Sequence, residues 1–195
     1  DMSVKLIKTT IENNEKILVY GDYDVDGTTA VALVYSYFYK TYKNINFYIP
    51  NRYKEGYGVS IKAVEYAKEN NYKLIIALDC GIKDFKEIEF AKENNIDIIV
   101  CDHHNPSECL PKASAIINPK RIDCNYPFKE LSGCGIGLKL IQAYSIFSSN
   151  NDFNIDDYFD LVALSISADI VPMNDENRIL KYFGLMSLRF ELSFI

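Results

Sequence analysis

Three aspartates at alternate positions, Asp22, Asp24 and Asp26, stand in the stretch VYGDYDVDGTTA, directly after a short apolar run and ahead of a helix-forming one. Farther along, Asp79 closes the run KLIIALD, and IDIIVCD, which ends at Asp102, leads straight into His103 and His104, the only two histidines of the chain. A lone Asp-x-Asp is commonly a solvated loop or a helix cap, and Asp79 by itself could be a turn residue. Taken together these side chains point elsewhere. Carboxylates gathered this densely repel one another unless a cation sits among them. Carboxylate with imidazole suits a borderline divalent ion such as Mn²⁺, with Mg²⁺ or Zn²⁺ as alternatives. The ligand capacity exceeds the needs of one ion. Two ions roughly 3.5–4 Å apart, sharing a carboxylate, would use it, and such a pair can ionise a water and neutralise a phosphoryl oxygen, which is the chemistry of phosphoester hydrolysis.

The elements that must bring these residues together are legible as an alternation. Short Ile- and Val-rich runs at 16–21, 45–50, 73–79 and 96–102, with a fifth at 115–118, are separated by helical spacing at 28–39, 60–69 and 84–93. Strands alternating with helices at this interval predict βαβ units. The last third reads as helical, at 137–147, 155–168 and 177–192. The expectation is one α/β domain over 1–195: a mainly parallel sheet of about five strands flanked by helices, with a helical C-terminal third. In open parallel sheets, sites form beyond the carboxyl ends of the strands. Asp22, Asp79 and Asp102 each follow such an end, so the topology delivers them to one rim.

Bulk properties set the frame. No apolar run approaches the roughly 20 residues of a membrane span, so no membrane partner is expected. Five cysteines without a CxxC pair argue against a zinc ribbon or a disulfide framework and for a reducing cytoplasm. The chain opens at Asp1 rather than Met, as a piece of a longer protein would. Its net charge of −6 disfavours a phosphate-rich partner, an objection that two dications among the acidic groups would weaken. Gly133, Gly135 and Gly137 in SGCGIG precede a helix, where backbone amides could hold a phosphate; a tight turn serving helix packing is the alternative. Arg52, Arg121 and Arg178 are candidate phosphate clamps, and Tyr53 and Tyr57 could stack on bases.

At CDHH the sequence resembles the DHH phosphoesterase superfamily, and within it the RecJ group of single-strand-specific 5′→3′ exonucleases. The likeness runs from about 16 to 189 through GDYDVDGTTA, PNRYKEGYG, LDCGI, CDHH, INPKRIDCNYPFKELSGCGIGLKL and SADIVPMNDENR. Family II pyrophosphatases and nano-RNases tend to begin the first motif with a histidine; here Tyr20 stands near that place, and Asp22 is expected to supply the missing ligand. The resemblance implies a metal-dependent nuclease acting on single-stranded DNA in repair and recombination, with two divalent ions, Mn²⁺ foremost. By the same resemblance Asp22, Asp24 and Asp26 ligate the metals and Asp79 bridges them. His103 ligates one ion, Asp102 orients the histidines, His104 faces the scissile phosphate, and Asp169 completes the metal set. It further implies a DHHA1-type domain and a nucleic-acid-binding fold beyond Ile195, with single-strand-binding protein or helicase partners for the full-length protein. The alternatives are a DHH enzyme with a small substrate (a nano-RNase, a cyclic-dinucleotide phosphodiesterase or a pyrophosphatase) and a non-catalytic replication scaffold.

Overall fold

Along each central strand the side chains alternate between two cores, as the two-residue period of a strand requires. Ile17 and Val19 of β1 (Lys16–Gly21), Leu74, Ile76 and Leu78 of β3 (Tyr72–Leu78), and Ile99 and Cys101 of β4 (Asp97–Cys101) face one layer of helices. Leu18 and Tyr20, Ile75 and Ala77, and Ile98 and Val100 face the other. Buried on both faces, these strands read as continuous apolar runs, which is how a parallel sheet covered by helices reads. With β2 (Ile45–Tyr48) and β5 (Ala115–Ile117) they form one five-stranded sheet in the order β2-β1-β3-β4-β5, every pair parallel. The computed structural model describes residues 2–149 and 153–192.

One face is covered by α1 (Met2–Glu12), α2 (Val25–Tyr39), α5 (Gly133–Ser148) and α6 (Phe159–Ala168), the other by α3 (Ile61–Glu69) and α4 (Phe85–Glu93). A single turn of 3₁₀ helix (Ile155–Tyr158) leads into α6, and α7 (Asp175–Leu192) packs on α6. The expected fold class is the one observed. Among the described residues no helix is long and apolar enough to cross a membrane.

The differences from expectation are local. Helix α1 is absent from the sequence reading because its buried stripe, Ser3, Val4, Ile7 and Thr10, is half polar and gives a weak periodic signal. Helix α5 starts at Gly133, ahead of the expected 137, because three glycines in its first two turns disguise a helix that Ser132 caps by accepting the Gly135 amide at 3.2 Å. The triplet Glu-Asn-Asn ends α1, α3 and α4 alike. In each the second asparagine is left-handed (Asn14 at φ 55°, Asn71 at 59°, Asn95 at 56°), so the chain stops its helix and turns back into the next strand.

Candidate metal centre

The strand order reverses between β1 and β3, since β1 is followed by β2 on one side and β3 lies on the other. That switch point opens a crevice at the carboxyl ends of the strands. Asp22 follows β1, Asp79 follows β3, and Asp102, His103 and His104 follow β4. The ligand residues also extend the ladder: the Asp79 amide donates to the Cys101 carbonyl at 2.8 Å, and the Asp102 amide to the Ile117 carbonyl at 3.0 Å. Asp79 then leaves its strand in the left-handed region, at φ 60°, a conformation that aspartate tolerates better than most residues and that recurs at functional sites.

The imidazole of His103 sits among three carboxylates. Its Nε2 lies 3.2 Å from Asp79 Oδ1, 3.5 Å from Asp169 Oδ2 and 3.8 Å from Asp26 Oδ2. Asp169 caps the C-terminus of α6, so the helical third does reach the rim. Asp26 lies in the first turn of α2, which Asp24 caps by accepting the Gly27 amide at 2.9 Å.

Asp26 is held from behind by α5 and α6. Its carboxylate accepts the Gly133 and Cys134 amides and the Ser165 hydroxyl, each at 2.7 Å. The start of α5, offered by the sequence to a phosphate, is thus used on a protein carboxylate, with the helix dipole favouring the charge. Gly133 and Gly135 spend their amides on Asp26 and on Ser132, which corrects their reading as phosphate donors. Gly133 has a second reason to lack a side chain. A Cβ there would lie 2.6 Å from Asp79 Cβ and push the carboxylate out of the rim. Ser165 escaped the sequence reading because a serine in an apolar helix carries no signal until its partner is known.

Asp102 does a narrower job than expected. Its Oδ2 accepts the Ile82 amide at 2.9 Å, and its Oδ1 accepts the His104 amide at 3.0 Å and faces His104 Nδ1 at 2.8 Å. It orients His104 and makes no bond to His103. Burial opposes its charge, yet the bonds from His104 and Ile82 hold its carboxyl below the ordinary value, and the Asp102 bond in turn raises the His104 imidazole.

Whether these residues suit a metal can be tested on their bonding. Asp22 Oδ1, Asp79 Oδ1, His103 Nδ1 and His103 Nε2 are buried atoms without a hydrogen-bond partner. Buried polar atoms are ordinarily paired, and each orphan costs about 1–3 kcal/mol. Burial, with Asp26 and Asp24 beside it, pushes the Asp79 carboxyl up to about 10, and burial pushes Asp22 up to about 6. Burial raises Asp169 too, against the opposing pull of His103. Three ligand sets overlap here with donor atoms within 4.8 Å of one another: Asp22, Asp24 and Asp79; Asp79, His103 and His104; Asp26, His103 and Asp169. Divalent cations would satisfy the carboxylate oxygens and one nitrogen of His103 together, so the donor set fits the metal that the chemistry implies.

The remaining candidates separate. Arg52 lies at the rim: its guanidinium stands 5.3 Å over the Tyr23 ring and its charge favours ionised Asp22. Arg121 is occupied, donating to both Asp123 oxygens and to the Ile116 carbonyl at 2.7 Å, where it covers the outer edge of β5. Arg178 is exposed on α7, and Tyr53 is exposed in the loop after β2.

Residues 16–166 match the family model described as DHH family, N-terminal domain. The chain belongs to the DHH family. Among curated DHH relatives, it is 43% identical over 183 residues to the single-stranded-DNA-specific exonuclease RecJ of Bacillus subtilis, covering 94% of this chain and 22% of that protein. It is 38% identical over 197 residues to the RecJ of Haemophilus influenzae, covering 97% and 34% respectively. The crystal structure of exonuclease RecJ bound to manganese superposes with a TM-score of 0.84 at 29% identity, covering 94% of this chain and 46% of that one. The chain spans 22–34% of the length of the two curated relatives.

Proposed function

We propose that this DHH domain hydrolyses phosphodiester bonds of single-stranded DNA from the 5′ end, with two divalent ions, Mn²⁺ in preference to Mg²⁺. The observation that carries the reading is the group of unpartnered buried atoms on Asp22, Asp79 and His103 where three ligand sets overlap. The likeness to RecJ proteins supports the substrate and the place in DNA repair and recombination, and a manganese-bound relative supports the ion. Asp22, Asp24 and Asp79 would hold one ion and Asp26, His103 and Asp169 the other, with Asp79, 3.2 Å from His103 Nε2, as the carboxylate they would share. When bound, the ions supply an activated water and neutralise phosphoryl charge. His104, fixed by Asp102, faces the scissile phosphate and stabilises charge there, and Arg52 grips a phosphate beside Asp22.

In the longer protein we infer a DHHA1-type domain and a nucleic-acid-binding domain beyond this catalytic one. It would work in the cytoplasm beside a single-strand-binding protein or a helicase. The test incubates the domain and Mn²⁺ with end-labelled single strands, duplex and pyrophosphate in parallel. Slow release of nucleotides from 5′ ends of single strands is the expected result. Rapid hydrolysis of pyrophosphate with no nucleotide release would overturn the reading in favour of a small-substrate enzyme.

A further inference from the structure

Tyr57 lies in the loop between β2 and α3, and its hydroxyl reaches the His104 ring, 3.1 Å from Nδ1 and 3.2 Å from Nε2. Asp102 holds Nδ1 at 2.8 Å, and an oxygen nearly equidistant from both ring nitrogens stands against the ring face rather than on the line of either lone pair, with the Asp79 carbonyl 3.4 Å away as its acceptor. The two rings meet edge to face at a centroid distance of 5.7 Å.

The loop is gripped one residue later. Tyr20, fully buried near the end of β1, donates its hydroxyl to the Gly58 carbonyl at 2.6 Å. Asp84, directly ahead of α4, accepts the Val59 amide at 2.6 Å. These two groups belong to one peptide unit, so it is held by its oxygen on one side and by its N–H on the other. Gly58 takes a φ of +87°, and a Cβ there would stand 2.7 Å from the Asp84 carboxylate oxygens, so only glycine lets that carboxylate in. Upstream, Glu55 accepts the Asn51 amide at 2.8 Å, the Tyr48 hydroxyl at 2.9 Å and the Ser60 hydroxyl at 2.7 Å. Neither Tyr20 nor Asp84 belongs to the overlapping ligand sets.

We propose that Tyr57 is a positioning residue for His104, and that Tyr20 and Asp84 act through it by fixing the peptide between Gly58 and Val59. The inference rests on the role of His104 given above. The imidazole is held by a carboxylate on Nδ1 and by the phenol oxygen against its ring, so its orientation is set before substrate arrives and Nε2 stays open to the phosphate. Tyr20 serves the loop and stands outside the ligand sets.

With only two histidines in the chain, ¹⁵N resonances of the imidazoles in the Mg²⁺-loaded protein report on each ring separately. Tyr57→Phe is expected to move the His104 imidazole resonances and leave those of His103 in place. Tyr20→Phe, which keeps the buried ring, and Asp84→Ala should give the same change to a smaller extent. Asp84→Asn, whose carboxamide oxygen can still accept the Val59 amide, should restore the wild-type position. In turnover, Tyr57→Phe should lower kcat about tenfold with KM held within about twofold, the scale of one lost polar contact. Unmoved His104 resonances in Tyr57→Phe would overturn the proposal. A raised KM with unchanged kcat would overturn it too, and would make Tyr57 a substrate contact. If the wild-type protein cleaves none of the substrates above, the proposed function fails, and the resonances still decide the positioning role.

Discussion

The rim at the ends of β1, β3 and β4 and the cleft beside β5 both gather charged side chains, but they balance them differently. The cleft encloses about 500 Å³, with Arg121, Tyr126 and Lys139 among its lining residues. Its charges are paired: Arg121 with Asp123, and Lys139 with Glu176 at 2.6 Å, while Tyr126 donates to the same glutamate at 2.6 Å. At the rim, aspartates face one another with buried oxygens unmatched, and both nitrogens of His103 lack partners. A roomy cavity is the default guess for a site, yet here space and chemistry part company. Unbalanced charge held at a topological switch point marks the functional region, because a fold gains nothing from it without a ligand.

The contrast can be broken by substitution on either side. The largest effect is expected of Asp26→Ala at the rim. It strands the Gly133 and Cys134 amides and the Ser165 hydroxyl, which bond that carboxylate at 2.7 Å. Relief of repulsion on Asp79 offsets only part of this, so urea unfolding in chelator should show a loss of about 2–4 kcal/mol.

Asp79→Asn should act in the opposite direction. The folded protein raises this carboxyl from 3.8 to about 10. The stability it permits is therefore full below about pH 4 and is lost as pH rises toward 10. In chelator at pH 8 the variant should be the more stable by at least about 1.4 kcal/mol, the worth of one pKa unit. Its melting temperature should also fall less steeply with pH than that of the wild type. With metal the order reverses, because the ion needs the ionised carboxylate and only the wild type can gain from it. A variant equally stable in chelator at every pH would remove the distinction between rim and cleft.

The smallest effect belongs to Arg121→Ala in the cleft. Its pair with Asp123 is largely exposed on the aspartate side, at 59%, so the same unfolding experiment should show almost no loss of stability. Calorimetric Mn²⁺ affinity should stay within about twofold. A large loss of metal binding would tie the cleft to the rim.

Much of the rim was legible in the sequence because strands end where aspartates begin. Asp22, Asp79 and Asp102 each follow a run of apolar residues, and a parallel sheet places such ends together. Asp169 was not legible that way. It caps a helix distant in sequence, and only likeness to a family singled it out before the fold brought it to His103. What stayed hidden depends on contacts between distant segments with no pattern of their own. The contacts of Ser165 behind Asp26, Gly133 against Asp79 and Tyr57 on His104 exist only once the chain folds. The glycines of α5 misled for a related reason: free amides at a helix start look alike whether a phosphate or a buried carboxylate takes them.

The central claim is that Asp79 serves two ions at once, and calorimetric titration with Mn²⁺ tests it most directly. The wild-type domain should take up two ions per chain, and Asp79→Ala should bind neither in the range where the wild type saturates. A variant that keeps one site at undiminished affinity would contradict the claim and make Asp79 a ligand to a single ion.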